Sequence, residues 1–364
     1  MTDIHLAEVF PAGEYLSDEL DERGWTHADF AEIIGRPTQF VSDIVNGKKE
    51  ITRTSAAQFA AALGTSPELW LNLQDAYLLW KQSQNADLTT ELDEVERRAR
   101  LRSAAAISIL TKRGFVSTGD VRAQERDIRA LLGPNALDGD PDILFAARRS
   151  NGSESTTITQ RSWAACVRAT ARSMSVAEYS PKAFRTLAMT LSRRLQEPAD
   201  LGQFQELCAG TGVKLVYVES FPGGKLDGCT FVDGGNPVIG LSGRGKRLDK
   251  VFFTLMHEVS HLLLEHVGDT PEILVDDLTA DDGTLTSSEQ ERAADDLAAE
   301  LILPDGLGPV PERIDRHWVE TRSSEIGVAP IIIIGRLQSV GALSWGSTLA
   351  RSAPTALSGL ERWV

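Results

Sequence analysis

Along the first eighty residues, apolar positions recur at the helical spacing, with turn residues between the runs. Tyr15, Leu16 and Leu20 share one helical face, which Gly24 interrupts. Thr26 is placed to cap a second helix with Ala28, Phe30, Ala31, Ile33 and Ile34 on its apolar face, and Gly35 and Pro37 stop it. Thr38 caps a third helix, with Phe40, Val41, Ile44 and Val45 inward, closed by Asn46-Gly47. A fourth helix opens at Thr52/Thr54 and ends at Gly64, and a fifth covers residues 67–80. Residues 83–200 also read as helical: a long Arg-rich helix over 88–113, a linker-like stretch at 150–157, and a helix pair at 163–174 and 181–195. Beyond residue 200 the period changes. A helix at 201–209 precedes β runs at 214–218, 229–232 and 237–241, the last two joined by the hairpin-type turn Asp233-Gly-Gly-Asn236. Long helices follow at 249–266 and 287–303, and the apolar run 330–335 starts a buried helix.

The pattern predicts a multidomain, mainly α chain. Residues 1–82 form an all-α domain, 83–200 a helical linker or regulatory domain, and 201–364 an α+β domain with a small sheet. A chain of 364 residues, 42% hydrophobic and 24% charged, is expected to fold rather than remain disordered. No stretch approaches the ~20 apolar residues of a membrane span. The N-terminus lacks a basic, then apolar, secretory pattern, so a cytoplasmic location with no membrane partner is expected. Cys166, Cys208 and Cys229 are too scattered for a disulfide framework. The net charge of −15 argues against a simple nucleic-acid coat protein, but its distribution is uneven. Residues 1–82 carry 6 basic and 13 acidic side chains, 83–200 carry 18 and 15, and 201–364 carry 13 and 24. The middle third is the basic one. Its cluster Arg97, Arg98, Arg100 and Arg102 reads either as a solvated face or as a regulatory or nucleic-acid surface.

The sharpest chemical signal is His257-Glu258-Val259-Ser260-His261, inside an apolar helical run. Histidines at i and i+4 share one helix face, so both imidazoles can reach one Zn²⁺. Glu258 lies beside them, placed to take a proton from water as general base. A catalytic zinc needs a third protein ligand. His266 is off the spacing of a His-type third ligand and reads as a helix-end residue. Glu291 is the better candidate, with Asp295 one turn later as a carboxylate partner for a ligand His. The alternative for Glu291 is a first-turn acid favoured by the helix dipole. The strand at 237–241 is a candidate exposed edge to which an extended peptide substrate adds. Cys229, on the strand before the histidine helix, reads either as core or as a thiol that caps the metal in a latent state.

Two runs, FFTLMHEVSHLLL over 252–264 and ERAADDLAAELILP over 291–304, resemble the ImmA/IrrE family of zinc-dependent metallopeptidases in order and spacing. Ile326-Gly-Val-Ala-Pro330 and Gly335-Arg-Leu-Gln338 resemble that family's C-terminal helical segment, so the likeness covers about residues 200–345. It implies a zincin-like (gluzincin) domain, His257, His261 and Glu291 as zinc ligands, and Glu258 as general base. One departure is Ala293, where family members often carry a second Glu.

The N-terminal part is similar to HigA-like (XRE-type) helix-turn-helix proteins over about residues 8–80. The residues that carry this are Pro11-Ala-Gly-Glu-Tyr-Leu16, Gly35, Val41-Ser42, Ile44-Val45-Asn-Gly-Lys48 and Leu63-Gly-Thr-Ser-Pro-Glu-Leu-Trp-Leu-Asn72. The likeness implies a second helix entering the major groove of double-stranded DNA. Thr38, Gln39, Ser42, Asp43 and Asn46 are then the exposed recognition positions, with Gln39 and Asn46 suited to base edges, and Arg36, Lys48, Lys49 and Arg53 are placed to hold phosphates. Asp43 and the segment's net negative charge oppose this, leaving a dimerisation or partner-docking module as the alternative. Together the resemblances imply a homodimeric regulator that cleaves a protein such as a repressor, antitoxin or partner regulator. The other implied reading is an antitoxin or transcriptional repressor whose peptidase-like domain senses a signal or binds a toxin without cleaving.

Overall fold

The computed structural model describes residues 9–138, 145–147, 157–267, 273–276 and 289–363. The chain divides into two compact units, residues 1–96 and 97–364. In the first unit, α1 (Ala12–Arg23), α2 (His27–Ile33), α3 (Thr38–Val45), α4 (Arg53–Leu63) and α5 (Pro67–Ser83) close around Leu16, Phe30, Val41, Ile44, Phe59 and Trp70. The Phe59 ring meets Phe30 at 5.3 Å and Trp70 edge-on at 5.7 Å. Truncating any of these three to Ala costs about 3–5 kcal/mol. Thr26 caps α2 through a reciprocal capping box with Asp29, as its position predicts. Thr38, expected to cap α3, is its first helical residue; the N-cap is Pro37, fixed in an extended conformation with φ −65°. Gly13 is needed where α1 crosses the end of α3, because a Cβ there would lie 2.5 Å from the Val45 carbonyl oxygen.

α6 (Ala86–Ala104) spans the division between the units. The single helix expected over 88–113 breaks at Ala105–Ala106, and α7 (Ile107–Lys112) follows. Ala106 adopts ψ 60°, and its N–H donates to Ser162 Oγ at 3.0 Å, a tertiary bond no local pattern reveals. α8 (Val121–Leu132), β1 (Phe145–Ala147), α9 (Ile158–Arg172) and α10 (Pro181–Arg194) complete the segment expected to be independent, and α11 (Leu201–Ala209) follows it. That segment is not a separate body: from residue 97 onward it belongs to the second unit. Leu101, Leu110, Ile128 and Trp163 share one core with Val216, Phe231 and Val238 of the sheet. The linker-like stretch at 150–157 lies outside the described residues except for Thr157, which caps α9.

The sheet combines β2 (Lys214–Tyr217), β3 (Gly228–Asp233), β4 (Asn236–Leu241) and β5 (Ile273–Asp276) with β1, in the order β1-β5-β3-β4-β2. The β3–β4 turn uses Gly234 and Gly235 at φ 64° and 86°, the type I′ geometry expected of Asp-Gly-Gly-Asn. β4 is interior, paired with β3 on one side and β2 on the other, so the peptide-accepting edge expected at 237–241 does not exist. The alternating strand period sends Cys229, Phe231 and Val238 to the α9 side, and Leu215, Ile239 and Leu241 to the opposite side. On that opposite side lies α12 (Leu248–Leu263), buried along nearly its whole length. It is covered in turn by α13 (Glu289–Ile302) and α15 (Pro330–Ser339), with α14 (Arg316–Ile326) packed on α15 and α16 (Leu357–Leu360) on α11. The expected helices at 249–266 and 287–303 correspond to α12 and α13; residues 287–288 lie outside the described residues.

Candidate metal centre and recognition helix

α12 and α13 carry complementary faces. On α12, His257 and His261 lie one turn apart, and both residues are fully buried. On α13, Glu291 and Asp295 lie one turn apart against them. The two His Nε2 atoms approach to 3.0 Å, and Glu291 Oε2 lies 3.3 Å from His257 Nε2 and 3.6 Å from His261 Nε2. One donor atom from each of the three residues falls within 4.8 Å of the others. His257 Nδ1 is 2.8 Å from Asp295 Oδ1. A carboxylate only accepts, so Nδ1 carries the proton and Nε2 presents a lone pair to the cluster. A nitrogen–nitrogen–oxygen donor set with a carboxylate behind one imidazole suits Zn²⁺. The residues present therefore fit the metal.

Three contacts were not visible in the sequence. Thr230, on the α12-facing side of β3, donates from Oγ1 to Glu258 Oε2 at 2.5 Å. Gly228, two residues earlier on the same face, leaves room for that carboxylate: a Cβ would lie 2.2 Å from Glu258 Oε1. The β alternation places these two residues on one face, but nothing in the sequence pairs that face with α12. The third contact is His266. After α12 the chain turns through Glu265 in the left-handed conformation, φ 56°, which is costly for a residue with a Cβ. The turn brings the His266 ring to 3.0 Å, Nδ1 to Nδ1, from His261, while its backbone N–H donates to the His261 carbonyl. His266 is thus both a helix-end residue and a partner of a candidate ligand. Cys229 alternates to the other face of β3, packed near Val167 and Gly240, so it cannot reach the candidate metal position. Burial pushes the Cys166 and Cys208 thiols up to about 12.

In the first unit, Arg36, Thr38, Gln39, Asn46, Lys48 and Lys49 are exposed and Ser42 is half-buried. Gln39 Nε2 donates to Asp43 Oδ1 at 2.6 Å, and Asn46 Nδ2 to the Ser42 carbonyl at 2.7 Å. Arg36 donates to Gln58 Oε1 at 3.1 Å, and Arg36 and Lys49 lie over the Phe40 ring at 5.3 and 4.8 Å. Asp43 is thus engaged by Gln39 on α3 itself. The Arg-rich segment of α6 is not a bare basic strip, since Arg97 pairs with Glu125 at 2.6 Å.

The three-donor cluster lies in the second unit, and the first unit has the short-helix build of a helix-turn-helix domain. The comparisons with known proteins agree. Residues 209–307 match the model of the IrrE N-terminal-like domain of the M78 peptidases, and residues 16–70 match the helix-turn-helix model. The chain belongs, through its N-terminal part, to the helix-turn-helix transcriptional regulators, with an IrrE N-terminal-like domain following. It is 44% identical over 69 residues to antitoxin HigA-1 of Vibrio cholerae, covering 19% of this chain and 65% of that protein. It is 34% identical over 85 residues to an uncharacterized HTH-type transcriptional regulator of Haemophilus influenzae, covering 23% and 79%. A solved addiction-module antidote protein of the HigA family from Coxiella burnetii is 34% identical, covering 23% of this chain and 94% of its own, with a TM-score of 0.22. Among the described residues no helix is long and apolar enough to cross a membrane.

Proposed function

We propose that the protein is a DNA-binding regulator with zinc-dependent endopeptidase activity, hydrolysing a peptide bond in a repressor, antitoxin or partner regulator. The observation that carries this reading is the convergence of His257, His261 and Glu291 on one point, with buried Glu258 on the adjoining helix position. These three residues would hold Zn²⁺, which when bound supplies Lewis-acid polarisation of the scissile carbonyl and activation of water. Glu258 takes a proton from the attacking water and returns it to the departing amine. Thr230 fixes the Glu258 carboxylate by its 2.5 Å hydrogen bond, and Gly228 keeps the space that carboxylate occupies. Asp295 holds the His257 tautomer that turns the Nε2 lone pair toward His261 and Glu291. In the first unit, α3 enters the major groove, Thr38, Gln39, Ser42 and Asn46 meet base edges, and Arg36, Lys48 and Lys49 meet phosphates. The reading is tested by co-expressing the full chain with the proteins encoded beside it. Cleavage that disappears in Glu258→Gln supports it; equal cleavage by that variant contradicts it.

The likeness to a protein named an antitoxin favours one second reading, a repressor that senses a signal or binds a toxin through its peptidase-like domain without cutting. Tight promoter binding, together with no cleavage of any neighbouring gene product by the zinc-loaded protein, selects it over the first.

A further inference from the structure

The second unit contains a cleft that none of the candidate metal ligands lines. It has a volume of about 600 Å³, within the range of small-molecule sites, and lies where α12, α13 and α15 meet. Its apolar walls are Phe253 of α12, Ala299 and Ile302 of α13, and Ile332 of α15. At its mouth stands Trp345, 69% exposed, with the Arg247 guanidinium 5.9 Å from its ring. An aromatic ring this exposed, beside an apolar cavity, is a large surface left in water.

The charge around the cleft is unbalanced. Asp249, its one carboxylate, is satisfied by Arg247, which donates from Nε at 3.0 Å and from an Nη at 2.7 Å. The same guanidinium also donates to Gln338 at 2.8 Å. Lys250 and Arg336, half-buried on facing helices, have no carboxylate partner among the described residues. The helices are brought together at Gly335, where a Cβ would lie 2.6 Å from Asp249 Oδ2. Two unbalanced cations above an apolar floor, beside a stacking ring, are complementary to an anion with an apolar body.

The cleft is also one helical turn from the candidate metal centre on both helices. Phe253 precedes His257 by four residues on the same face of α12, and their ring centroids are 6.4 Å apart. Ala299 follows Asp295 by four residues on α13. A ligand that alters the spacing of α12 and α13 at Phe253 and Ala299 therefore alters the His257–Asp295 hydrogen bond one turn away.

We propose that this cleft is a binding site for a small organic anion with an aromatic body, and that its occupancy is felt at the metal centre. The first part stands on the cleft alone. The second rests on the zinc reading above. By reciprocity, an anion that tightens or loosens zinc binding has its own affinity changed by the same factor.

The test uses the full chain and 8-anilinonaphthalene-1-sulfonate as a fluorescent probe, with 4-phenylbutyrate and its uncharged amide as competitors. The expected result is saturable binding of one probe per chain, displaced by the carboxylate and not by the amide. Lys250→Glu with Arg336→Glu is expected to weaken probe binding at least about tenfold. Lys250→Arg with Arg336→Lys is expected to retain it, and circular dichroism reports whether each variant is folded. Unchanged affinity in the folded charge-reversal variant, or equal displacement by the amide, overturns the site. For the second part, zinc affinity is measured by chelator competition with and without 4-phenylbutyrate. A change of about threefold or more supports the coupling, and equal affinities overturn it. A protein that binds the probe but takes up no zinc in either state sinks the zinc reading and the coupling together while leaving the cleft as a site.

Discussion

The two candidate sites are built in opposite ways. At the metal centre His257, His261 and Glu258 are buried and held from behind, His257 by Asp295, Glu258 by Thr230 and His261 by His266, while Glu291 is half-buried. On α3 the candidate DNA-reading groups Thr38, Gln39 and Asn46 are exposed and Ser42 is half-buried, and the bonds they make are within their own helix, Gln39 to Asp43 and Asn46 to Ser42. The first site is preorganised, so removing one supporting group is felt by its neighbours. The second is a set of side chains that exchange one weak local bond for another on binding, so its contributions are separable. The difference predicts all-or-none effects at the buried site and graded, near-additive ones at the exposed site.

The largest expected effect is that of Glu258→Gln, which removes the proton acceptor without touching a ligand. Cleavage in a co-expression assay should fall by at least about 10²–10⁴-fold with zinc content unchanged. Residual cleavage within a few-fold of the parent chain would break the comparison at its strongest point. Gly228→Ala sharpens it, because it alters nothing but space. The added methyl meets the Glu258 carboxylate at 2.2 Å, so activity should drop steeply while thermal stability and zinc content change little. Asp295→Asn takes the carboxylate from behind His257 and should weaken zinc by about 10–100-fold, read by chelator competition. On α3, Gln39→Ala and Asn46→Ala should each lose about 1–3 kcal/mol of discrimination at one base position. Lys48→Ala should instead weaken all sequences alike and lower the salt slope by about one. If the α3 variants prove strongly non-additive, the exposed site is not the loose assembly described here.

The smallest effect concerns pH. Hydrogen bonds from Thr26, first its hydroxyl and then its backbone N–H, hold the exposed Asp29 carboxyl below its ordinary value of 3.8. A depressed carboxylate contributes stability above its unfolded value and loses it as pH falls through the folded one. The α2 cap therefore weakens only below about pH 4, and Thr26→Ala should remove that part of the acid limb in thermal melts of the parent and variant.

The two sites also differ in how legible they were. The i, i+4 spacing of His257 and His261, and of Glu291 and Asp295, is helix geometry written in the sequence, and α12 and α13 bring those two faces together. Thr230, Gly228 and His266 were not legible. The first two depend on which strand face α12 packs against, and the third on a left-handed turn at Glu265 that no glycine announces. The division of the chain is illegible for the same reason. Residues 97–200 have ordinary amphipathic helices, but the surface that completes their core, Val216, Phe231 and Val238, lies far along the chain. The strand at 237–241 is interior because β2 joins it in parallel from across a crossover, a pairing set by tertiary structure that local sequence does not show.

The central claim is that His257, His261 and Glu291 together hold one metal ion. Its most direct test is the zinc content of the purified full chain beside its His261→Ala and Glu291→Ala variants, with Glu258→Gln as the control. The expected result is one zinc per chain in the parent and in Glu258→Gln, and loss of tightly held zinc in the other two. Equal zinc in all four proteins, or none in the parent after exposure to excess zinc, would contradict it.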